Sequence, residues 1–224
     1  MPKTNQKVSP ERSRPTPHSH RRASPVQQRS EATVERILRA SMELLHSQGI
    51  EGFTTNAVAH HAEVNVGTLY HYFSDKNSLL TELFIRFETE RVDYLRNRLA
   101  HFDETTDLRE WVHETLKSLL DLRITTLGGT VLRNAVRAIP SLYDLGTEQD
   151  EKSVADLSSA LRTRYPNVPS RRTDAIARTI IDAGVASLDR VGVGLGQPKS
   201  VLHELTEMIV AYLQTLENYA AWIK

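Results

Sequence analysis

From residue 31 onward, apolar side chains recur every three or four positions. Val34, Ile37, Leu38, Met42 and Leu45 form one stripe that stops at Gly49, which predicts a first helix over about 32–47. Thr54 is placed to cap a short helix running to Ala62, and Asn65 to cap another running to about Tyr72, with Glu63-Val64-Asn65 as the turn between them. Ser74 is the candidate cap of a long helix whose stripe is Leu80, Leu83, Phe84, Phe87, Tyr94, Leu95, Leu99 and Phe102. A further stripe from Leu108 through Trp111, Val112, Thr115 and Leu116 to Leu120 is broken by Gly128-Gly129, and a shorter segment from Val131 closes at Pro140. Residues 148–164 read as a more polar helix bounded by Pro166 and Pro169. No alternating stretch of useful length occurs, so the predicted fold class is all-α, with about nine helices.

The last two segments differ in kind. In residues 171–191, Ile176, Ala177, Ile180, Ile181, Ala183, Val185 and Leu188 occupy most of the circumference rather than one stripe, and residues 200–223 repeat Leu202, Leu205, Met208, Ile209, Tyr212, Leu213 and Leu216. Two readings stand: the pair completes the chain's own core, or it forms half of a four-helix bundle between two copies. Symmetry favours the second, because a pair of short crossed helices such as that near the N-terminus is commonly presented twice, once per copy of the chain.

Charge changes the picture more than length does. Residues 1–30 carry seven Lys/Arg against the single acid Glu11, whereas the other 194 residues carry 21 basic and 27 acidic side chains. A neutral chain therefore conceals a basic arm on an acidic body. With five prolines, five serines and few large apolar groups, the arm is expected to be disordered, and it serves either as a solubilising tail or as a contact for a polyanion such as nucleic acid. The absence of cysteine excludes disulfides, thiolate metal sites and a cysteine nucleophile. No apolar run approaches the roughly 18 residues of a membrane span, so the expected location is cytoplasmic, with no membrane partner.

The stretch from Gly52 to Leu80, GFTTNAVAHHAEVNVGTLYHYFSDKNSLL, together with the helix before it, closely resembles the DNA-binding signature of the TetR family of transcriptional repressors. The resemblance covers residues 31–80, and it implies a helix-turn-helix domain over 31–76 followed by a helical ligand-binding and dimerisation domain over 77–224. Residue by residue the motif makes physical sense. Val58, Ala59, Ala62, Val64 and Leu69 are small enough to let two short helices cross closely. Gly67 and Thr68, in the first turn of the second helix, offer backbone N–H groups and a hydroxyl to a phosphate, as Thr54 does at the other helix start, with Asn65 as cap. Tyr70 matches the family's phosphate-binding tyrosine, and Lys76 its phosphate-binding lysine. The side chains expected to face the major groove are Val66, His71 and Tyr72.

Two departures matter. Glu63 stands where the family's turn has glycine, and a positive φ there carries about 1 kcal/mol. Residues 31–80 also hold only Arg36, Arg39 and Lys76 against six acids, so the arm, through Arg21, Arg22 and Arg29, is the expected source of electrostatic affinity for DNA.

Enzyme readings find little. No His-Glu-x-x-His, Gly-x-Ser-x-Gly or phosphate-binding glycine loop is present, and the adjacent rings of His60 and His61 diverge on a helix and do not share a metal. Neither a cofactor nor a metal is implied. What remains is a repressor that binds a palindromic operator as a homodimer through residues 171–191 and 200–223 and is released by a small-molecule effector; the other reading is a DNA-bound organising or recruiting factor without an effector. The family's pocket helices imply Trp111, Thr115, Tyr143, Thr179 and Asp182 as ligand contacts. Asp182, inside a nearly all-apolar helix, invites either a ligand or an arginine, whereas Arg133 and Arg137 fall beside their stripe, on an expected solvated face.

Overall fold

The computed structural model describes residues 25–136 and 139–217. Its helices are α1 (Pro25–Gly52), α2 (Thr55–His61), α3 (Val66–Tyr72), α4 (Lys76–Leu99), α5 (Leu108–Thr125), α6 (Gly129–Val136), α7 (Pro140–Arg164), α8 (Ser170–Gly192) and α9 (Pro198–Glu217). The described residues contain no strand, and none of their helices is long and apolar enough to cross a membrane.

Helix starts show where periodicity is silent. α1 begins at Pro25, within the segment expected to be disordered, because a proline in the first turn is already set at a helical φ and Arg29, Glu31 and Ala32 favour helix. The apolar stripe, by contrast, begins only at Val34. α1 breaks at Gly49, whose φ of 67° needs glycine. α4 is capped by Asp75 rather than Ser74, through a reciprocal pair in which Asp75 Oδ1 accepts from the Ser78 N–H (2.7 Å) and Ser78 Oγ accepts from the Asp75 N–H (3.1 Å). α7 starts at Pro140 rather than 148, runs through Gly146, and seats Leu142 fully inside the core. Tertiary packing there overrides the helix-breaking tendency of glycine.

Two apolar clusters hold the molecule together. The first joins Ile37, Leu45, Phe53, Leu69, Leu80 and Phe84 of α1–α4 to Leu132 of α6 and Leu142 of α7. The second joins Leu95 and Leu99 of α4 to α5, α7, α8 and α9. The clusters thus divide inside α4, between Phe87 and Leu95. α6 packs on α1 through a tight approach at Gly128, where φ is 72° and an added Cβ would stand 2.8 Å from the Met42 carbonyl oxygen. In α8 and α9 the inner faces complete the chain's own core, and that core includes Ile209 and Leu216; the outer face leaves Met208 and Tyr212 exposed at 50% and 37%.

Candidate DNA interface and ligand cavity

The reader is built from local capping and one tight crossing. Thr54 Oγ1 accepts from the Ala57 N–H at the start of α2 (3.1 Å), and Asn65 Oδ1 accepts from the Gly67 N–H at the start of α3 (2.7 Å). The Gly67 N–H expected to meet phosphate is therefore already engaged. Glu63 takes a φ of 51°, so the turn keeps the left-handed residue that its geometry requires even without glycine. Val58, Ala59, Ala62 and Leu69 are buried at the crossing, while Val66, Gly67, Tyr70 and His71 form an exposed face, with Thr68 half-buried beside it. The Tyr70 hydroxyl lies 3.0 Å from Thr55 Oγ1, joining this face to the first turn of α2.

Two side chains sit elsewhere than expected. Tyr72 is half-buried against the first cluster, its hydroxyl accepts from Ser30 Oγ (3.1 Å) and its ring meets His71 edge-on at 5.0 Å, so it fastens α3 to α1 rather than facing a groove. Lys76 Nζ donates to the Ile50 carbonyl (2.9 Å), 5.8 Å from the Phe53 ring centre. The Ile50 carbonyl near the end of α1 thus offsets the unfavourable placement of a cation in a first helical turn. Arg29 is exposed, whereas Arg21 and Arg22 lie outside the described residues. Three of the six acids in this region are occupied: Glu35 with Arg86, Glu43 with His61 and Asp75 as cap.

A narrow cavity of about 70 Å³ lies in the second cluster, between α4, α5, α7, α8 and α9. Its wall is apolar, formed by residues such as Leu116, Leu119, Leu157 and Ile181, and it includes Trp111 and Thr115. Thr115 Oγ1 donates to the Trp111 carbonyl (2.7 Å) and accepts from Arg98 Nε (3.1 Å); Trp111 Nε1 is buried with no hydrogen-bond partner. The other three expected contacts are absent from the wall. Tyr143 is 60% exposed on α7, and Thr179 and Asp182 face outward from α8. The helical turn that brings Ile181 and Gly184 inward puts Asp182 about 100° away, in water, so it needs no buried partner.

Residues 37–83 match the model of bacterial regulatory proteins of the tetR family. Over those residues the chain carries a DNA-binding domain of the TetR type. This family comprises DNA-binding regulators rather than enzymes. The chain is 26% identical over 172 residues to the HTH-type transcriptional regulator YvdT of Bacillus subtilis, a match covering 75% of this chain and 86% of that protein. It is 42% identical over 66 residues to the HTH-type transcriptional repressor KstR of Mycolicibacterium smegmatis, covering 30% of this chain and 32% of that protein. The fold is shared with a TetR-family regulator of Streptomyces coelicolor (24% identity, 82% of this chain and 99% of that one, TM-score 0.58) and a TetR-like regulator of Rhodococcus sp. RHA1 (18%, 81% and 96%, TM-score 0.61).

Between its two apolar clusters the chain carries a layer of buried charge that the periodicity of the sequence did not reveal. The fully buried Glu88 carboxylate accepts from Arg91 Nε (2.6 Å) and Arg133 Nη1 (2.8 Å). Arg133 also donates to Asp189 (2.9 Å), which accepts from Arg123 Nε (3.0 Å), and Arg91 reaches Asp150 (3.0 Å) and Ser153 (3.3 Å). Arg133 is thus inside, not on a solvated face, because the cost of burying it is offset by two carboxylates; Arg137 lies outside the described residues. Burial alone would push the Asp189 carboxyl up, yet Arg133 and Arg123 outweigh it and hold it below the usual range. At Asp150 burial prevails over Arg91 and Arg133 and the carboxyl is raised. A signal was present in the sequence: Phe84, Glu88, Arg91 and Leu95 share one face at helical spacing, which puts two charges on a core stripe. Arg91 and Arg123 also line the cavity, so the charged layer forms part of its wall.

Proposed function

We propose that this chain is a TetR-family regulator, a cytoplasmic repressor that binds a palindromic operator as a dimer and leaves it when a small molecule occupies the cavity. The reading rests on one observation above all: Arg91 and Arg123 belong both to the cavity wall and to the ion layer that includes Arg133 of α6, and α6 packs on α1 at Gly128. A ligand that shifts either arginine changes the balance of contacts holding α6 against the reader, and such differential contact is what an effector needs to change DNA affinity. That KstR is named a repressor supports the sign of the regulation. Thr54, Val66, Thr68, Tyr70 and His71 form the DNA face, with Asn65, Tyr72 and Lys76 positioning it, and Arg21, Arg22 and Arg29 add contacts from the arm. The outer faces of α8 and α9, around Ala183, Ser187, Val201 and Met208, are the dimer surface.

The test needs no known effector. Gly184 lines the cavity on α8, and nothing stands within 4 Å of a Cβ added there. Gly184→Leu therefore places a side chain in the cavity without backbone strain and mimics occupancy. Operators selected from random DNA with the wild-type chain should be palindromic, and the variant should bind them about tenfold more weakly at equal fold and oligomeric state. Unchanged operator affinity in a folded Gly184→Leu protein would count against effector control.

A further inference from the structure

The chemistry of the cavity narrows what can occupy it, given the effector reading above. The wall is apolar save for Trp111, Thr115, Arg91 and Arg123, and most of their polar atoms are engaged. The Thr115 hydroxyl both donates and accepts. Arg91 is held by Glu88, Asp150 and Ser153, and Arg123 by Asp189 and the Leu119 carbonyl (2.9 Å). Three arginines face three carboxylates in that layer, so it has no net charge with which to hold a buried ion. Arg98 stacks 5.5 Å from the Trp111 ring centre, but it is half-exposed and not part of the wall, so water already solvates its charge.

One polar group is left over. Among the described residues, Trp111 Nε1 is the buried side-chain polar atom without a hydrogen-bond partner. An indole N–H is a donor only, and leaving it unmatched in an apolar setting is unfavourable. The ring packs on Phe102 at 4.4 Å between centres, and both side chains line the cavity.

We infer that the effector is an uncharged, largely apolar molecule bearing a hydrogen-bond acceptor, a carbonyl or ether oxygen, that takes the Trp111 indole N–H. A carboxylate is disfavoured because its charge would be buried against a layer already neutral, and a pure hydrocarbon leaves the indole unmatched.

Three compact probes of similar shape separate these cases: cyclohexanone, cyclohexane and cyclohexanecarboxylate at pH 8. The full chain, with ¹⁵N-labelled tryptophan and labelled methyl groups, is titrated with each. The chain has two tryptophans, and Trp111→Phe assigns the indole signals while keeping an aromatic ring in place. Cyclohexanone should move the methyl signals of Leu116, Leu119 and Ile181 and shift the Trp111 indole proton downfield. Cyclohexane should move the methyls alone, and the carboxylate should bind about tenfold more weakly than the ketone. Trp111→Phe should weaken the ketone about fivefold and leave cyclohexane within about twofold. The inference is overturned if the carboxylate binds tightest, if Trp111→Phe weakens ketone and hydrocarbon alike, or if no probe enters. Ketone binding through the indole with operator affinity unchanged would instead remove effector control and leave the ligand class standing.

Discussion

The two halves of the molecule are built on different principles. In the reader most features are local: caps act over two or three residues, the α2–α3 turn spans Glu63 to Asn65, and the exposed face belongs to one seven-residue helix, with Tyr72 and Lys76 as its longer braces to α1. In the cavity half the contacts that join the helices are long-range. Glu88 and Arg133 are 45 residues apart, Arg123 and Asp189 are 66 apart, and the cavity takes its wall from five helices. The lesson concerns tolerance. A locally encoded reader keeps its geometry when its neighbours change, whereas a site assembled from distant segments responds to any shift among them, which suits a sensor.

The largest effects should come from α9, where adjacent residues play opposite parts. Ile209 is 3% exposed within the second cluster and Met208 is 50% exposed on the outer face. Ile209→Asp buries an unpaired carboxylate and should destabilise the chain by more than about 3 kcal/mol, enough to lose helical signal on mild heating. Met208→Asp should leave the thermal transition in place and produce monomers by analytical ultracentrifugation, with operator affinity reduced because a single half-site is held weakly. A Met208→Asp protein that remains dimeric would move the dimer surface away from this face. The pattern of apolar residues along α9 cannot make this distinction, since both positions belong to one repeat.

Next in size is the seam between the halves. Glu88→Gln keeps the shape of the side chain but leaves Arg91 and Arg133 short of a buried countercharge, and should lower stability by about 3 kcal/mol in urea unfolding. If the seam carries the coupling, the same variant should blunt the effect of Gly184→Leu on DNA binding. Additive losses of operator affinity in the double variant would show that the cavity and the reader communicate by another route.

What the sequence made legible follows the same division. The reader's caps at Thr54 and Asn65, its crossing residues and the positive φ at Glu63 all follow from residues within a 30-residue window. Periodicity also places most helices, but it missed the first turns of α1 and α7, where Pro25 and Pro140 open helices ahead of the apolar stripe. The cavity was less accessible. Trp111 and Thr115 do line it, whereas Tyr143 lies on the surface of α7 and Thr179 and Asp182 on that of α8, where the phase of a helix that is apolar over most of its circumference does not say which side faces the interior. Arg133 went the other way for a related reason: its partners on α4 and α8 are invisible to the pattern of its own short helix.

The smallest predicted effect is the cleanest test of the reader. Tyr70 is 48% exposed and its hydroxyl meets only Thr55 among the described residues, so Tyr70→Phe should leave stability within about 0.5 kcal/mol. If the hydroxyl also binds a phosphate oxygen, affinity should fall by about fivefold for operator and for unrelated DNA alike, because a phosphate contact carries no base information. The slope of log affinity against log salt should not change, since a neutral side chain releases no counterion. Lys76→Ala makes an instructive contrast. It should reduce that slope by about 0.9 if Nζ reaches DNA, but it also removes the bond to the Ile50 carbonyl at the end of α1, so its loss of affinity mixes contact with fold. Fluorescence anisotropy with operator and scrambled duplexes at three salt concentrations separates the two. Equal affinity of wild type and Tyr70→Phe for both duplexes would reduce Tyr70 to a brace between α2 and α3, and the backbone contacts of the reader would then fall to Thr54, Thr68 and the basic arm.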